Sequence, residues 1–268
     1  MVDSSSPHGP RIIAIANQKG GVGKTTTTIN LGAALAEAGA RVLVIDLDPQ
    51  GNASTGLGID PDLRDRTTYD LLVEKLSLTS AIRATSVENL AIVPANMDLS
   101  SADMELMGAE RRSFLLRDVL DRDEIAALGL DYVLIDCPPS LNLLTVNGMV
   151  AADSVLIPLQ SEFFALEGVS QLMLTIREVR QTANRNLRIE GILLTMFDRR
   201  NNLSQLVEQD ARDNLGDLVF RTIIPRNVRL SEAPSFAMPV LNYDPKSQGA
   251  EAYRALAKEM AERHQVVA

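Results

Sequence analysis

The stretch that most constrains the fold runs from Ile12 to Thr28. Ile12-Ile13-Ala14-Ile15-Ala16 is an apolar, largely β-branched run with the length of a buried parallel strand. It stops at Asn17, glycines follow at 20, 21 and 23, and Lys24, Thr25 and Thr26 open an Ala- and Leu-rich helical pattern that reaches Ala38. Strand, glycine loop, Lys-Thr and helix form a phosphate cradle. Glycines let consecutive backbone N–H groups turn inward onto an anion. The nucleotide-binding stretch therefore covers Gly20, Gly21, Val22, Gly23, Lys24, Thr25 and Thr26, with Lys24 reaching the outer phosphates and the Thr25 hydroxyl reaching Mg²⁺. The common pattern G-x-x-x-x-G-K-[ST] asks for glycine at position 18, where this chain has Gln18. A second lysine, Lys19, precedes the glycines instead, giving KGGVGKT.

Further along, apolar runs alternate with helical periodicity. Arg41–Leu47 reads as a second buried strand and ends in Asp46-Leu47-Asp48-Pro49-Gln50-Gly51-Asn52. Residues 53–66 read as loop, Tyr69–Lys75 as helical, Asn89–Pro94 as a short strand, and Asp98–Met107 and Arg111–Leu128 as helices. Asp131–Asp136 is again an apolar run ending in aspartate, the form of a strand whose Asp holds Mg²⁺ or its water shell. Ser154–Leu159, Leu187–Met196 and Leu218–Ile224 read as later strands. Leu203–Leu215 and Gly249–His264 read as helices, and Leu166, Val169, Leu172, Met173, Ile176 and Val179 form a helical core stripe. Gly39 sits where a C-terminal helix cap belongs. Such alternation predicts one doubly wound α/β domain over 11–268, its mostly parallel sheet flanked by helices, after a polar, disordered tail at 1–10. In that fold, carboxylates at strand ends face the ligand crevice. Asp48 is thus the candidate to orient an attacking water, and Thr25, Asp48 and Asp136 are the candidate metal ligands.

Composition narrows the setting. One cysteine in 268 residues excludes a disulfide framework and a multi-cysteine zinc site, and fits a reducing cytosol. No apolar run approaches the roughly 20 residues that span a bilayer. A net charge of −9 opposes DNA binding by bulk electrostatics, but 14 of the 26 Lys and Arg residues lie after residue 176, which allows a local basic face. Tyr253, Leu256, Ala257 and Met260 share one face of the last helix, and Glu251, Glu259 and Glu262 dilute its positive charge, as in a helix docked on a core.

KGGVGKT resembles the deviant Walker A motif of the ParA/MinD family of ATPases. The resemblance continues through DLDPQGN, DCPPSL (136–141), PLQSEFFALEG (158–168), LLTMFDRRNNLS (193–204), IPRNVRLSEAPSF (224–236) and YDPKSQGAEAYRALAKE (243–259), and looks like the chromosomal-type (ParA, Soj-like) partitioning ATPases. It implies an ATP- and Mg²⁺-dependent ATPase of weak intrinsic activity, cytoplasmic and nucleoid-associated. The expected form is an ATP-dependent homodimer that binds nonspecific double-stranded DNA and is stimulated by a ParB-type partner. Lys19 would contact the partner subunit's nucleotide, so Lys19, Lys24 and Asp48 are the expected catalytic residues. Pro225 and Asn227 would lie against adenine, with Met196 nearby. Arg200 and Arg229 match family positions that bind DNA, with Arg199, Arg226 and Lys246 as neighbours. The resemblance leaves no room before Arg11 for the helix-turn-helix domain of longer relatives. A MinD-like membrane ATPase is the alternative, but it needs an amphipathic C-terminal anchor that this last helix does not offer. A nitrogenase-type iron protein is excluded by the single cysteine, and a metabolic P-loop synthetase would lack the Arg-bearing 224–236 segment.

Overall fold

A computed structural model describes residues 9–162 and 165–266. Residues 1–8 of the expected tail lie outside the described residues, while Pro10 is buried. Seven strands are present among the described residues: β1 (Arg11–Ile15), β2 (Val42–Asp46), β3 (Arg83–Ala84), β4 (Leu90–Val93), β5 (Tyr132–Asp136), β6 (Ser154–Gln160) and β7 (Arg188–Thr195). They form one sheet in the order β3-β4-β2-β5-β1-β6-β7, parallel throughout except for the β3–β4 edge.

Period-two alternation explains why the central strands read as unbroken apolar runs. Ile12 and Ala14 join the core on one face of the sheet, and Ile13 and Ile15 join the core on the other. The first core packs the helices Leu143–Ala151 and Ala165–Thr182; the second packs Lys24–Glu37 and Gln248–Val266. The crossover from β1 to β2 passes over β5, and the crossover from β5 to β6 passes back over β1. Right-handed connections running in opposite directions put their helices on opposite faces and leave a crevice beyond the carboxyl ends of β1, β2 and β5.

Local chemistry accounts for several element ends. Gly39, at φ +96°, closes the Lys24–Glu37 helix: its amide donates to Ala36 O at 3.0 Å and the Ala40 amide donates to Leu35 O at 3.1 Å. The C-terminal helix is a core element, with Tyr253, Leu256, Ala257 and Met260 all buried. No helix among the described residues is long and apolar enough to cross a membrane.

Four expectations change. Asp98–Met107 is a 3₁₀ turn, Met97–Ser101, followed by a single helical turn, Ala102–Glu105. Leu218–Ile224 is not a strand; it meets the edge of the sheet at the isolated bridge Ile192–Val219, with Phe197–Pro225 just beyond, and the Phe220 and Ile224 amides donate to Ile192 O and Leu194 O, both at 2.9 Å. The amides of Arg221 and Thr222 donate instead to the Glu259 carboxylate, both at 2.8 Å, and so leave any ladder. Residues 53–66 contain a short helix, Asn52–Gly56, and a 3₁₀ turn, Pro61–Leu63. Arg111–Leu128 divides into Arg112–Phe114, Leu115–Val119 and Arg122–Ala127. There the Asn147 side chain accepts from the Leu116 amide and donates to Arg112 O, fixing the break between the first two pieces.

A bulge between β6 and β7 leaves Glu190 without a pairing partner, so its carboxylate meets Ser154 Oγ (2.6 Å) and His264 Nε2 (2.9 Å). Beside it, a Cβ on Gly191 would stand 2.5 Å from the Phe220 ring and 2.9 Å from Leu218 O. Gly191→Ala should therefore lower stability by about 1–3 kcal/mol. The check is an earlier urea midpoint with an unchanged slope.

Candidate nucleotide site

The loop after β1 is tied down on two sides. Asn17 Nδ2 donates to Pro158 O at 2.8 Å, linking the loop to β6, and Asn17 Oδ1 accepts from the Lys19 amide at 3.0 Å. Thr195 Oγ1 donates to Val22 O at 2.9 Å, linking it to β7. Gly21 and Gly23 have φ of +74° and +88°, which is why a residue without a Cβ stands at each. Gly20 differs: its φ is not positive, and a Cβ there would meet nothing within 4 Å. Nothing inside the described chain requires glycine at position 20.

The predicted strand-end groups come together. Lys24 is buried, and its ammonium donates to Lys19 O at 3.1 Å. Burial lowers its pKa, opposed by the charges of Asp136, Cys137 and Asp48. Thr25 Oγ1 donates to Asp136 Oδ2 at 2.7 Å, and Thr28 Oγ1 donates to Asp136 Oδ1 at 3.0 Å. Asp46 and Asp136 are direct partners in the β2–β5 register. Both are fully buried. Burial first, and then its neighbour's charge, pushes Asp136 up to about 8. Asp46 is pushed up to about 6, mainly by burial and against hydrogen bonds from Ser54.

The two aspartates of the DLDPQ segment do different things. Asp46, the last residue of β2, accepts from Ser54 N (2.8 Å), Ser54 Oγ (2.6 Å) and Asp48 N (3.2 Å). It anchors the turn that follows. Asp48 stands two residues past the strand end rather than on it, and its Oδ1 accepts from the Gln50 amide at 3.0 Å. Thr28, Ser54 and Thr195 were not singled out from the sequence. Thr28 lies one helical turn after Thr25, so its place on the same face was readable. Ser54 and Thr195 gave no comparable signal.

Lys19 is partly exposed, and its ammonium pairs with Glu162 at 2.7 Å. Beside it opens a cavity of about 420 Å³, lined in part by Lys19, Ser161, Glu162, Met196, Asp198 and Arg226. Among the described residues, the buried Ser161 hydroxyl has no hydrogen-bond partner. Met196 is part of this lining, whereas Pro225 and Asn227 are absent from it. Asn227 instead caps the Val228–Glu232 helix through the Arg229 amide at 2.8 Å.

The expected DNA-binding residues are all exposed, in two groups. Around the loop after β7, Arg200 pairs with Asp198 at 3.2 Å, Arg199 is its neighbour, and Arg226 shares the Asp198 side of the cavity. In the second group, Arg229 pairs with Glu232 at 2.8 Å and with Asp244 at 3.3 Å, and Lys246 follows two residues on.

Comparisons with known proteins agree with this geometry. Residues 10–189 match the model of a family described as an AAA domain. Chromosome partitioning protein ParA of Caulobacter vibrioides is 57% identical over 254 residues, covering 94% of each chain. Sporulation initiation inhibitor protein Soj of Bacillus subtilis is 52% identical over 251 residues, covering 94% of this chain and 98% of that one. Among solved structures, cobyrinic acid a,c-diamide synthase from Mycobacterium smegmatis, with bound ADP and magnesium, superposes with a TM-score of 0.79 at 40% identity over 93% of both chains. Likeness over nearly the whole chain, together with the second lysine ahead of the glycines, makes this protein a ParA/Soj-like member of the ParA/MinD family of P-loop ATPases.

Proposed function

We propose that this chain is a DNA-partitioning ATPase that works as an ATP-dependent switch between a monomer and a DNA-bound dimer. The observation that carries the reading is the convergence of Lys24, Thr25, Asp48 and Asp136 at the ends of three adjacent strands, with an exposed second lysine at the rim. Phosphoryl transfer asks a protein mainly for positioning and charge neutralisation, and these groups supply both. Loop amides and Lys24 bind the triphosphate, and Asp48 orients the attacking water. Thr25 and Asp136, with Asp48 beside them, would hold Mg²⁺, which when bound neutralises phosphate charge. The donor set fits, since a hydroxyl and a buried carboxylate favour a hard cation. Among the described residues, no group of three or more His, Cys, Asp or Glu is placed to hold a metal by itself, which fits a cation shared with phosphate oxygens.

Dimerisation follows from Lys19 and Gly20. Lys19 exchanges an exposed ion pair, worth at most about 1 kcal/mol, for the partner subunit's nucleotide. Gly20 leaves open space where the second subunit approaches. The Arg groups at 199–200 and 226–229, with Lys246, then face nonspecific duplex DNA. Their present pairs with Asp198, Glu232 and Asp244 are exposed and easily exchanged for phosphates. Hydrolysis, accelerated by a ParB-type protein, separates the subunits and releases the DNA.

Nucleotide binding and turnover test the core of this reading. Lys24→Ala should abolish ATP binding in a filtration assay; Asp48→Ala should bind ATP but lose turnover, and unchanged turnover would remove Asp48 from the mechanism. Gly20→Val should fold and bind ATP yet stay monomeric by light scattering. Arg229→Ala and Arg200→Ala should weaken DNA binding without preventing the dimer. For about six phosphate contacts per wild-type dimer, log affinity should fall with log salt at a slope near −5. A flat salt profile would sink the DNA role.

A further inference from the structure

Between Asp60 and Arg66 every residue is exposed except Arg64, which turns inward and is only 9% exposed. A buried arginine ordinarily sits against a carboxylate. Neutral oxygens satisfy this one. Its Nη1 donates to Ala95 O at 3.1 Å; its Nη2 donates to Thr55 Oγ1 at 2.7 Å and Ile59 O at 2.8 Å; its Nε donates to Ile59 O at 3.2 Å. Those acceptors belong to three separate stretches: the chain just past β4, the Asn52–Gly56 helix, and the turn after that helix.

The guanidinium also fills the space over Gly51. A Cβ on Gly51 would collide with Nη1 and would stand 2.8 Å from Ala95 O, so only glycine fits beneath the fork. Gly51 is the N-cap of the Asn52–Gly56 helix, and its amide donates to Asp48 O at 2.9 Å. Arg64 is therefore one glycine away from the turn that carries Asp48. Asp46 holds the same turn from the opposite side, through Asp48 N and Ser54, and Ser54 Oγ accepts from Ala95 N at 3.0 Å. Arg64 reaches Ala95 directly and Asp46 reaches it through Ser54; both hold the Asn52–Gly56 helix, and together they close a ring around residues 48–55.

We infer that Arg64 is a positioning residue for hydrolysis: it presses on Gly51 and ties down the Asn52–Gly56 helix so that Asp48 meets the phosphate loop in one orientation. The inference rests on the role proposed for Asp48. A planar fork can span three acceptors in fixed directions, and a lysine ammonium at the same place cannot. Because Thr25 is held by Asp136 at the end of β5 and the phosphate loop is held to β6 and β7 through Asn17 and Val22 O, loss of the clamp disturbs turnover and spares nucleotide affinity.

The experiment compares wild type, Asp48→Ala, Arg64→Lys, Arg64→Ala and Thr55→Val by steady-state phosphate release and by binding of a fluorescent ATP analogue. Arg64→Lys and Arg64→Ala should lose about tenfold or more in kcat while the analogue's Kd stays within about threefold. Millimolar guanidinium should restore part of the Arg64→Ala turnover, and methylammonium should not. Thr55→Val removes the hydroxyl that accepts from Arg64 and donates to Gly51 O at 3.1 Å, and should lose about two- to tenfold in kcat; it carries the test if the Arg64 variants melt early by circular dichroism. Wild-type kcat in both Arg64→Lys and Thr55→Val would overturn the inference, as would Kd rising in step with the fall in kcat. If Asp48→Ala itself keeps wild-type turnover, the reading of Asp48 has failed. If Asp48→Ala is inactive while Arg64→Lys and Thr55→Val are both normal, only the Arg64 inference has failed.

Discussion

Asp46 and Asp136 lie side by side in the β2–β5 register, both fully buried, and the site is arranged around them. Two adjacent carboxylates inside a sheet are costly unless donors surround them. Each aspartate has drawn a different set of donors. Asp136 holds the Thr25 and Thr28 hydroxyls and so fixes the start of the helix after the phosphate loop. Asp46 holds Ser54 and the Asp48 amide and so fixes the turn after β2. One pair of buried acids thereby sets the spacing between the phosphate-binding half of the site and the half that carries Asp48.

Around that pair, the rigid parts and the exchangeable parts are cleanly separated. The phosphate loop is bound to β6 through Asn17 and to β7 through Thr195, and Lys24 is buried beneath it. Lys19, Arg200 and Arg229 sit at the rim in exposed ion pairs with Glu162, Asp198 and Glu232. Screened surface pairs are held weakly, so these cations can change partners without disturbing the core. The switch proposed for this chain needs both properties: a fixed site in which the presence of one phosphate is read, and surface groups free to respond.

Much of this was legible in the chain. Lys24, Thr25 and Asp136 announced themselves because a buried apolar run that ends in a glycine loop or an aspartate has few other uses. The doubly wound, mostly parallel sheet followed from the alternation of strand and helix patterns. The failures share a cause. Leu218–Ile224 has a strand's apolar content, but the Glu259 carboxylate, far away in sequence, takes two of its amides. Arg111–Leu128 has helical periodicity, but Asn147 inserts its amide group into it. Arg64 lies in a stretch that reads as loop and is rich in Asp and Arg, with no local signal that it turns inward.

What the sequence determined by itself is the nucleotide-binding strand, loop and helix, the two strand-end aspartates on β2 and β5, and the apolar faces that demand a two-sided sheet. These are local: residue type and spacing suffice, because the backbone geometry of a glycine loop and the alternation of a strand operate over a few neighbours. Tertiary structure decided which aspartate anchors and which stays available, why glycine is needed at 51, and that Arg64 turns inward. Those outcomes depend on hydrogen bonds such as Arg64 to Ala95 and Ser54 to Asp46, whose partners meet only after the strands have assembled. A buried polar group takes whatever partner the fold delivers.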